Sequence, residues 1–195
     1  MKALRHFIVQ VPKKTDDKVT VGGKELFLDT RFNEFDHRIC YGEVLSAPLI
    51  YDTGVKKGDT LFFHHHVTIS KSLSLGDNKY IVLYDDRETT QSHAIAYRDS
   101  DGELHMLAGW VFVQPIEVES VEDVTESGII VDLDVSDVEY EKEAKMFMPH
   151  PDLVAQGIKA GDTVGFDKDR DYKMKLDDGT IVYRMLSDNI SYVVN

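Results

Sequence analysis

A short segment occurs twice in this 195-residue chain, and the repeat constrains the fold more than any other feature of the sequence. Residues 54–60 read GVKKGDT, and residues 157–163, about 100 positions further on, read GIKAGDT. Three other segments recur in the same order, residues 7–10 with 111–114, 80–86 with 181–188, and 93–97 with 190–194. This collinearity indicates a tandem duplication and predicts two domains, 1–98 and 103–195, joined by a polar turn. A single barrel with chance similarity between its halves is the alternative.

Short runs of β-forming residues, bounded by glycine, aspartate and asparagine, follow one another along the chain. They predict strands at residues 7–11, 39–46, 60–63, 79–84, 93–97, 109–115, 145–148, 163–166, 180–185 and 190–194. No helical period of ordinary length is visible between them. Many short strands are typical of barrels and sandwiches, so we predict an all-β protein with one small β-barrel in each half.

Charge and composition exclude several classes of function. The formal net charge of −13 and the lack of any long run of Lys and Arg disfavour binding to nucleic acid or to an anionic membrane. The longest apolar stretch, residues 106–113, is far shorter than the roughly 20 residues that span a bilayer. Cys40 is the single cysteine, and the first ten residues carry charges where an export signal needs an apolar core. We therefore expect a cytoplasmic protein.

Three motifs follow one another in the second half of the chain. Small residues precede an apolar triplet in residues 125–131 (TESGIIV), residues 157–166 contain the pattern Lys-x-Gly-Asp-x-Val-x-Phe, and residues 175–194 contain a short polar turn followed by two apolar strands. In this order they resemble the mobile loop, the strand entry and the closing meander of the GroES co-chaperonin family, and the resemblance extends from Trp110 to Val194. The resemblance implies two tandem GroES-like small β-barrels and a protein that is not an enzyme.

The first half follows the same plan more loosely. Its mobile loop would be residues 15–38, where Gly22 and Gly23 precede an apolar triplet after two intervening residues. Between Leu45 and Lys56 the chain is too short for the hairpin that forms the roof of the dome in bacterial members. Roofless domes are similar to those of bacteriophage-encoded co-chaperonins, so the resemblance implies action in the cytoplasm of a bacterial host.

Two apolar triplets are the candidate chaperonin-binding residues: Ile129, Ile130 and Val131 in the second half, and Leu26, Phe27 and Leu28 in the first. Each would dock on a GroEL-type chaperonin, while a homo-oligomeric ring of the protein encloses a client protein. The terminal strands, residues 7–11 and 190–194, are the expected contacts between neighbouring subunits. The alternative interpretation makes both triplets ordinary core strands.

The remaining candidate sites are weaker. On an extended strand His64 and His66 would share one face and His65 the other, which leaves too few ligands for a metal, so we predict no metal and no cofactor. Asp132, Asp134 and Asp137 lack the glycine and glutamate of a calcium loop. No pattern of catalytic residues appears. The rival functions are a bacteriophage structural or adaptor β-barrel that binds a virion partner and, less favoured, a β-barrel enzyme that uses the histidines.

Overall fold

The chain forms two antiparallel β-sheets and a separate β-hairpin, as described by a computed structural model. The structure describes residues 2–12, 18–21, 24–27, 39–107, 109–116, 143–167 and 170–194. Thirteen strands lie in the two large sheets, and helices are few and short in these residues. The predicted all-β class is therefore confirmed in this coarse form, while closed GroES-like barrels stay a prediction. No helix in the described ranges is long and apolar enough to cross a membrane.

The first sheet has the strand order β6-β7-β1-β4-β5-β8-β9. Its strands are β1 (Phe7–Gln10), β4 (Tyr41–Ser46), β5 (Thr60–Phe63), β6 (Ser74–Gly76), β7 (Lys79–Val82), β8 (Ala94–Arg98) and β9 (Leu104–Met106). Strands β2 (Lys18–Val21) and β3 (Lys24–Phe27) form the separate hairpin. Helix α1 (His66–Ile69) and two turns of 3-10 helix (Lys71–Leu73 and Thr89–Gln91) connect strands of the first sheet.

The second sheet has the order β13-β14-β10-β11-β12-β15. Its strands are β10 (Trp110–Pro115), β11 (Glu143–Met148), β12 (Thr163–Phe166), β13 (Tyr172–Lys175), β14 (Ile181–Leu186) and β15 (Ile190–Val194). Helix α2 (Pro151–Ala155) lies between β11 and β12, and a 3-10 turn (Ser187–Asn189) precedes β15. Position by position, strands β13-β14-β10-β11-β12-β15 correspond to strands β6-β7-β1-β4-β5-β8 of the first sheet, so these six strands have the same order in both sheets.

The two sheets share irregularities as well as strand order. The register of β1 against β4 shifts after Ile8, and that of β10 against β11 shifts after Phe112. The repeated Gly-Asp turn makes the same contacts in both sheets, because the amide of Gly58 donates to the carbonyl of Val44 at 2.9 Å and that of Gly161 to Met146 at 2.8 Å. Both glycines have a left-handed backbone, with φ of 96° and 91°, which explains why glycine recurs there.

Each of the ten strands predicted from the sequence overlaps an observed strand. The sequence did not predict β2, β3, β6, β9 and β13, which are short or carry few β-branched residues. Strand β9 pairs with β8, so the first sheet extends to Met106, past the predicted domain end at residue 98. The domain boundary itself stays a prediction.

Among the described residues, apolar side chains form three buried clusters. One lies within the first half of the chain and includes Val44 and Leu61; another lies within the second half and includes Val164 and Met185. The third combines residues of both sheets, among them Phe62. Its buried members are Cys40, Phe62, Ile95, Ala96, Met106, Phe112, Met174, Leu176 and Val182. The two sheets are therefore held together by a common apolar cluster, and Arg98 of β8 adds a partly exposed ion pair to Asp177 at 3.1 Å.

Tyr84 is a buried tyrosine in the apolar cluster of the first half of the chain. Its side chain is 6% exposed, and its ring meets the edges or faces of Phe7 and Tyr51 at centroid distances of 5.4 and 5.3 Å. Burial, helped by the carboxylate of Asp86, raises the pKa of Tyr84 from 10.0 to about 12. The folded protein thus holds this proton more tightly than the unfolded chain, so the contribution of Tyr84 to stability is fully present below pH 10 and is lost as the pH rises through about 12.

We expect the wild type to lose about 1–2 kcal/mol more unfolding free energy than Tyr84→Phe on going from neutral to strongly alkaline pH, after allowance for residual hydration of the hydroxyl group. Urea unfolding at a series of pH values measures the difference. Tyr51→Phe, which removes a neighbouring hydroxyl group and keeps Tyr84, is the control. Equal alkaline losses in the wild type and Tyr84→Phe would contradict the prediction.

Candidate functional site

The predicted chaperonin-binding residues fall partly on described structure. Leu26 and Phe27 lie in β3, where their backbones pair in register with those of Val19 and Lys18 in β2. This hairpin occupies part of the segment predicted as the mobile loop of the first half. Leu28 lies outside the described residues, as do Ile129, Ile130 and Val131. Their role stays a prediction.

The two triplets occupy the same place in the order of strands. The first triplet lies in the connection from β1 to β4, and the second lies in the connection from β10 to β11. These strands are hydrogen-bonded neighbours at the centre of their sheets, with the same register shift in each pair. Both sheets therefore have a long connection with an apolar triplet between equivalent central strands.

The second candidate site is a cluster of histidines where β5 ends. Strand β5 ends at Phe63, as predicted, and α1 begins at His66, so the extended geometry assumed when the metal ligands were counted does not apply to residues 64–66. The amide of His64 still donates to the carbonyl of His93 at 2.9 Å, but the amide of Val67 then turns back to the carbonyl of His64 at 3.0 Å. This change from strand to helix brings all three imidazole rings to one side.

The three rings are close neighbours. The ring centroid of His64 lies 4.3 Å from that of His65 and 4.4 Å from that of His66, and the centroids of His65 and His66 are 4.3 Å apart. One ligand nitrogen from each residue lies within 4.8 Å of the others. His93, immediately before β8, brings a fourth ring to 6.1 Å from His64. The histidine cluster, defined as His64, His65, His66 and His93, is thus larger than the pair expected from strand geometry.

Burial favours the neutral form of the imidazoles of His64 and His93. Desolvation, reinforced by the charge of Arg184 and by the neighbouring imidazoles, lowers the pKa of His64 from 6.5 to about 2. Desolvation also lowers the pKa of His93, with further contributions from His66, His6 and Arg184. Neutral imidazoles carry a lone pair, which is the form that binds metal ions.

Side chains of the second sheet cover the other side of the cluster. The ring of Tyr172 in β13 stacks on His65 with a centroid distance of 4.8 Å and an angle of 11°. The guanidinium of Arg184 in β14 lies 4.6 Å from the ring of Tyr172 and 5.1 Å from that of Trp110. Arg184 is only 5% exposed, and burial lowers its pKa from 12.5 to about 10. A buried cation therefore lies between two aromatic rings where the sheets meet.

A cavity of about 370 Å³ opens beside the histidine cluster. His66 and His93 line it together with Ser70, Ser72 and three aliphatic side chains. The two hydroxyl groups hydrogen-bond each other at 2.8 Å, and in the described part of the chain neither is bonded to an imidazole. This geometry offers imidazole ligands at the wall of a space large enough for a small molecule, without an activated hydroxyl nucleophile.

Comparison of the sequence with protein-family models and with curated proteins finds no match. The assignment of function therefore depends on the residues themselves. Sequence reasoning noted the three consecutive histidines but missed Tyr172 and Arg184. Their contact with the cluster arises from packing between the two sheets, for which a lone tyrosine and arginine give no local signal.

Proposed function

We propose that the protein is a co-chaperonin that caps a GroEL-type chaperonin and assists the folding of an enclosed client protein. The observation that supports this proposal is the equivalent placement of the two apolar triplets, each between the central strands of a sheet with the same order and register shift. Duplication of the fold has thus duplicated the position from which an apolar segment can be presented. The identity of the partner, a GroEL-type chaperonin, is inferred from the resemblance of the sequence to the GroES family.

The composition of the second connection fits reversible binding. Residues 117–143 are rich in Asp and Glu and contain three consecutive β-branched side chains, Ile129, Ile130 and Val131. Burying these three side chains in an apolar groove would contribute roughly 5 kcal/mol, and ordering the segment costs about 2–5 kcal/mol. A single connection therefore binds weakly, whereas several connections presented by one oligomer bind strongly, since each later contact is intramolecular.

A homo-oligomeric ring needs sheet edges that are free to pair. The expectation that residues 7–11 form such an edge is wrong, because β1 lies inside the first sheet between β7 and β4. Strand β15 does lie at an edge of the second sheet, where it pairs with β12 and exposes Tyr192 and Val194. We therefore propose that β15 contributes to contacts between subunits of the ring.

Substitution of the second triplet tests the proposed function. The variant Ile129→Ser/Ile130→Ser/Val131→Ser is expected to bind a GroEL-type chaperonin at least about 100-fold more weakly, because it loses most of the apolar burial. Inhibition of the chaperonin ATPase and electron microscopy of mixtures with nucleotide measure the effect. The matched control, Glu119→Ser/Glu122→Ser/Asp123→Ser, changes the same connection and keeps its apolar triplet.

Two outcomes would overturn the proposal. One is that the wild-type protein fails to bind or inhibit any GroEL-type chaperonin tested. The other is that the triplet variant and the acidic control bind equally well. Binding to a purified bacteriophage virion protein instead, retained by the triplet variant, would support the structural or adaptor role.

A further inference from the structure

We propose that the histidine cluster binds one divalent transition-metal ion, with Zn²⁺ as the representative ion. His64, His65 and His66 are the expected ligands, since their candidate nitrogen atoms lie within 4.8 Å of one another. Imidazole nitrogen is a preferred ligand for Zn²⁺, Ni²⁺, Co²⁺ and Cu²⁺. This proposal concerns a different part of the molecule from the apolar triplets and does not depend on chaperonin binding.

Small rotations of the side chains would complete the site. Zinc–nitrogen bonds of about 2.0–2.1 Å place tetrahedral ligand nitrogens roughly 3.4 Å apart, so the rings must converge from their present separations. His66 is exposed at the start of α1, so its ring has solvent space in which to turn away from its stack on His64, whereas the ring of His65 is buried against Tyr172. The rings of His64 and His65 therefore fix the position of the ion, and the ring of His66 moves to complete the coordination.

One hydrogen bond must change when the metal binds. The Nδ1 atom of His64 accepts the backbone amide of His66 at 3.2 Å, which places the ring proton on Nε2. Coordination through Nδ1 replaces this hydrogen bond, and coordination through Nε2 moves the ring proton to Nδ1, where it faces the amide. Either route removes the acceptor, so the His66 amide reports directly on occupancy of the site.

The cavity beside His66 and His93 leaves one side of the proposed metal site open to a further ligand. Nδ1 of His93 is buried and has no hydrogen-bond partner in the described part of the chain, and the ring lines the cavity together with His66. Three imidazole ligands with an adjoining space of about 370 Å³ fit a metal that keeps one position for water or a small ligand. The structure thus favours an open metal site over a closed structural one.

Titration of tag-free protein with Co²⁺ tests the proposal, because tetrahedral Co²⁺ absorbs visible light. We expect one ion per chain, an altered amide signal for His66 in NMR spectra, and competition by Zn²⁺. His66→Ala is expected to bind Co²⁺ at least about 100-fold more weakly, and so is His64→Phe, which keeps an aromatic ring in the buried position. The control His105→Gln removes an imidazole that instead pairs with Asp99 and stacks on Tyr97.

Thermal unfolding without metal shows whether a variant has lost only a metal ligand or has a destabilised fold. Because the side chain of His66 is exposed, His66→Ala is expected to have the same melting temperature as the wild type. Absence of Co²⁺ uptake by the wild-type protein would overturn the proposal. So would uptake of equal affinity in wild type, His66→Ala and His64→Phe, since the ion would then be held elsewhere.

Discussion

Replacing Phe62 with alanine is expected to lower the free energy of unfolding by about 3–5 kcal/mol, as large-to-small changes in packed cores do. Phe62 is 0% exposed and belongs to the apolar cluster that both sheets share. Its neighbours on β5, Leu61 and Phe63, belong instead to the core of the first half. Truncation of Phe62 therefore opens a cavity between the sheets and leaves the core of the first half intact.

Leu61→Ala is the matched control, because it truncates the adjacent residue on the opposite face of the same strand. Urea unfolding measures the stability of both variants, and hydrogen exchange locates the loss. Phe62→Ala is expected to raise exchange in β10 and β14 of the second sheet as well as in the first sheet, whereas Leu61→Ala acts mainly on the first. Exchange changes confined to the first sheet in Phe62→Ala would show that the shared cluster does not couple the two halves.

The sequence already contained a sign of this shared cluster. The run Leu61, Phe62 and Phe63 is apolar throughout, and so is the run Val111, Phe112 and Val113 in the second sheet. A barrel strand with one face in water alternates apolar and polar residues, so a continuous run indicates burial on both faces. Phe62 and Phe112 point into the shared cluster while their neighbours fill separate cores.

Local signals predicted the central strands well because each has its own apolar run and its own turn. The Gly-Asp turns are the clearest case, since Asp59 and Asp162 accept the amides of Lys56 and Lys159 at 2.7 and 2.8 Å within the segments that repeat. Strands β6 and β13 lack such runs. They form because β7 and β14 offer them an edge, which is a property of the assembled sheet.

The histidine cluster shows what local patterns cannot provide. Three consecutive histidines are visible in the sequence, but their use depends on whether the chain continues as a strand or turns into a helix after Phe63. The turn depends on local hydrogen bonds from Val67 to His64 and from Ser70 to His66. Contact with Tyr172 depends on docking between sheets that are about 100 residues apart in sequence. Neither is encoded in the spacing of the histidines.

Substitutions of Arg184 separate the packing of its side chain from its charge. Arg184→Ala is expected to lower the free energy of unfolding by about 2–4 kcal/mol, because the aliphatic part of the side chain fills space beside Trp110 and Tyr172. Arg184→Met restores most of that volume without a charge. Burial lowers the pKa of Arg184 to about 10, so the fold disfavours the charged form, and we expect the methionine variant to be at least as stable as the wild type.

Urea unfolding at neutral pH measures all three proteins. Arg98→Met is the control, since Arg98 is a partly exposed arginine in an ion pair, and its loss is expected to change stability by no more than about 1 kcal/mol. If Arg184→Met is as unstable as Arg184→Ala, the cation and its two aromatic partners stabilise the fold and the expectation is wrong.

The charge of Arg184 lies where the two sheets meet, beside Tyr172, which stacks on His65 of the histidine cluster. The charge of Arg184 contributes to the lowered pKa of both His64 and His93, and the same repulsion acts on any cation that these rings bind. Arg184→Met is therefore expected to bind Co²⁺ more tightly than the wild-type protein in the titration described above. Unchanged or weaker Co²⁺ binding in this variant would contradict a repulsive effect of Arg184 on metal ions bound by the cluster.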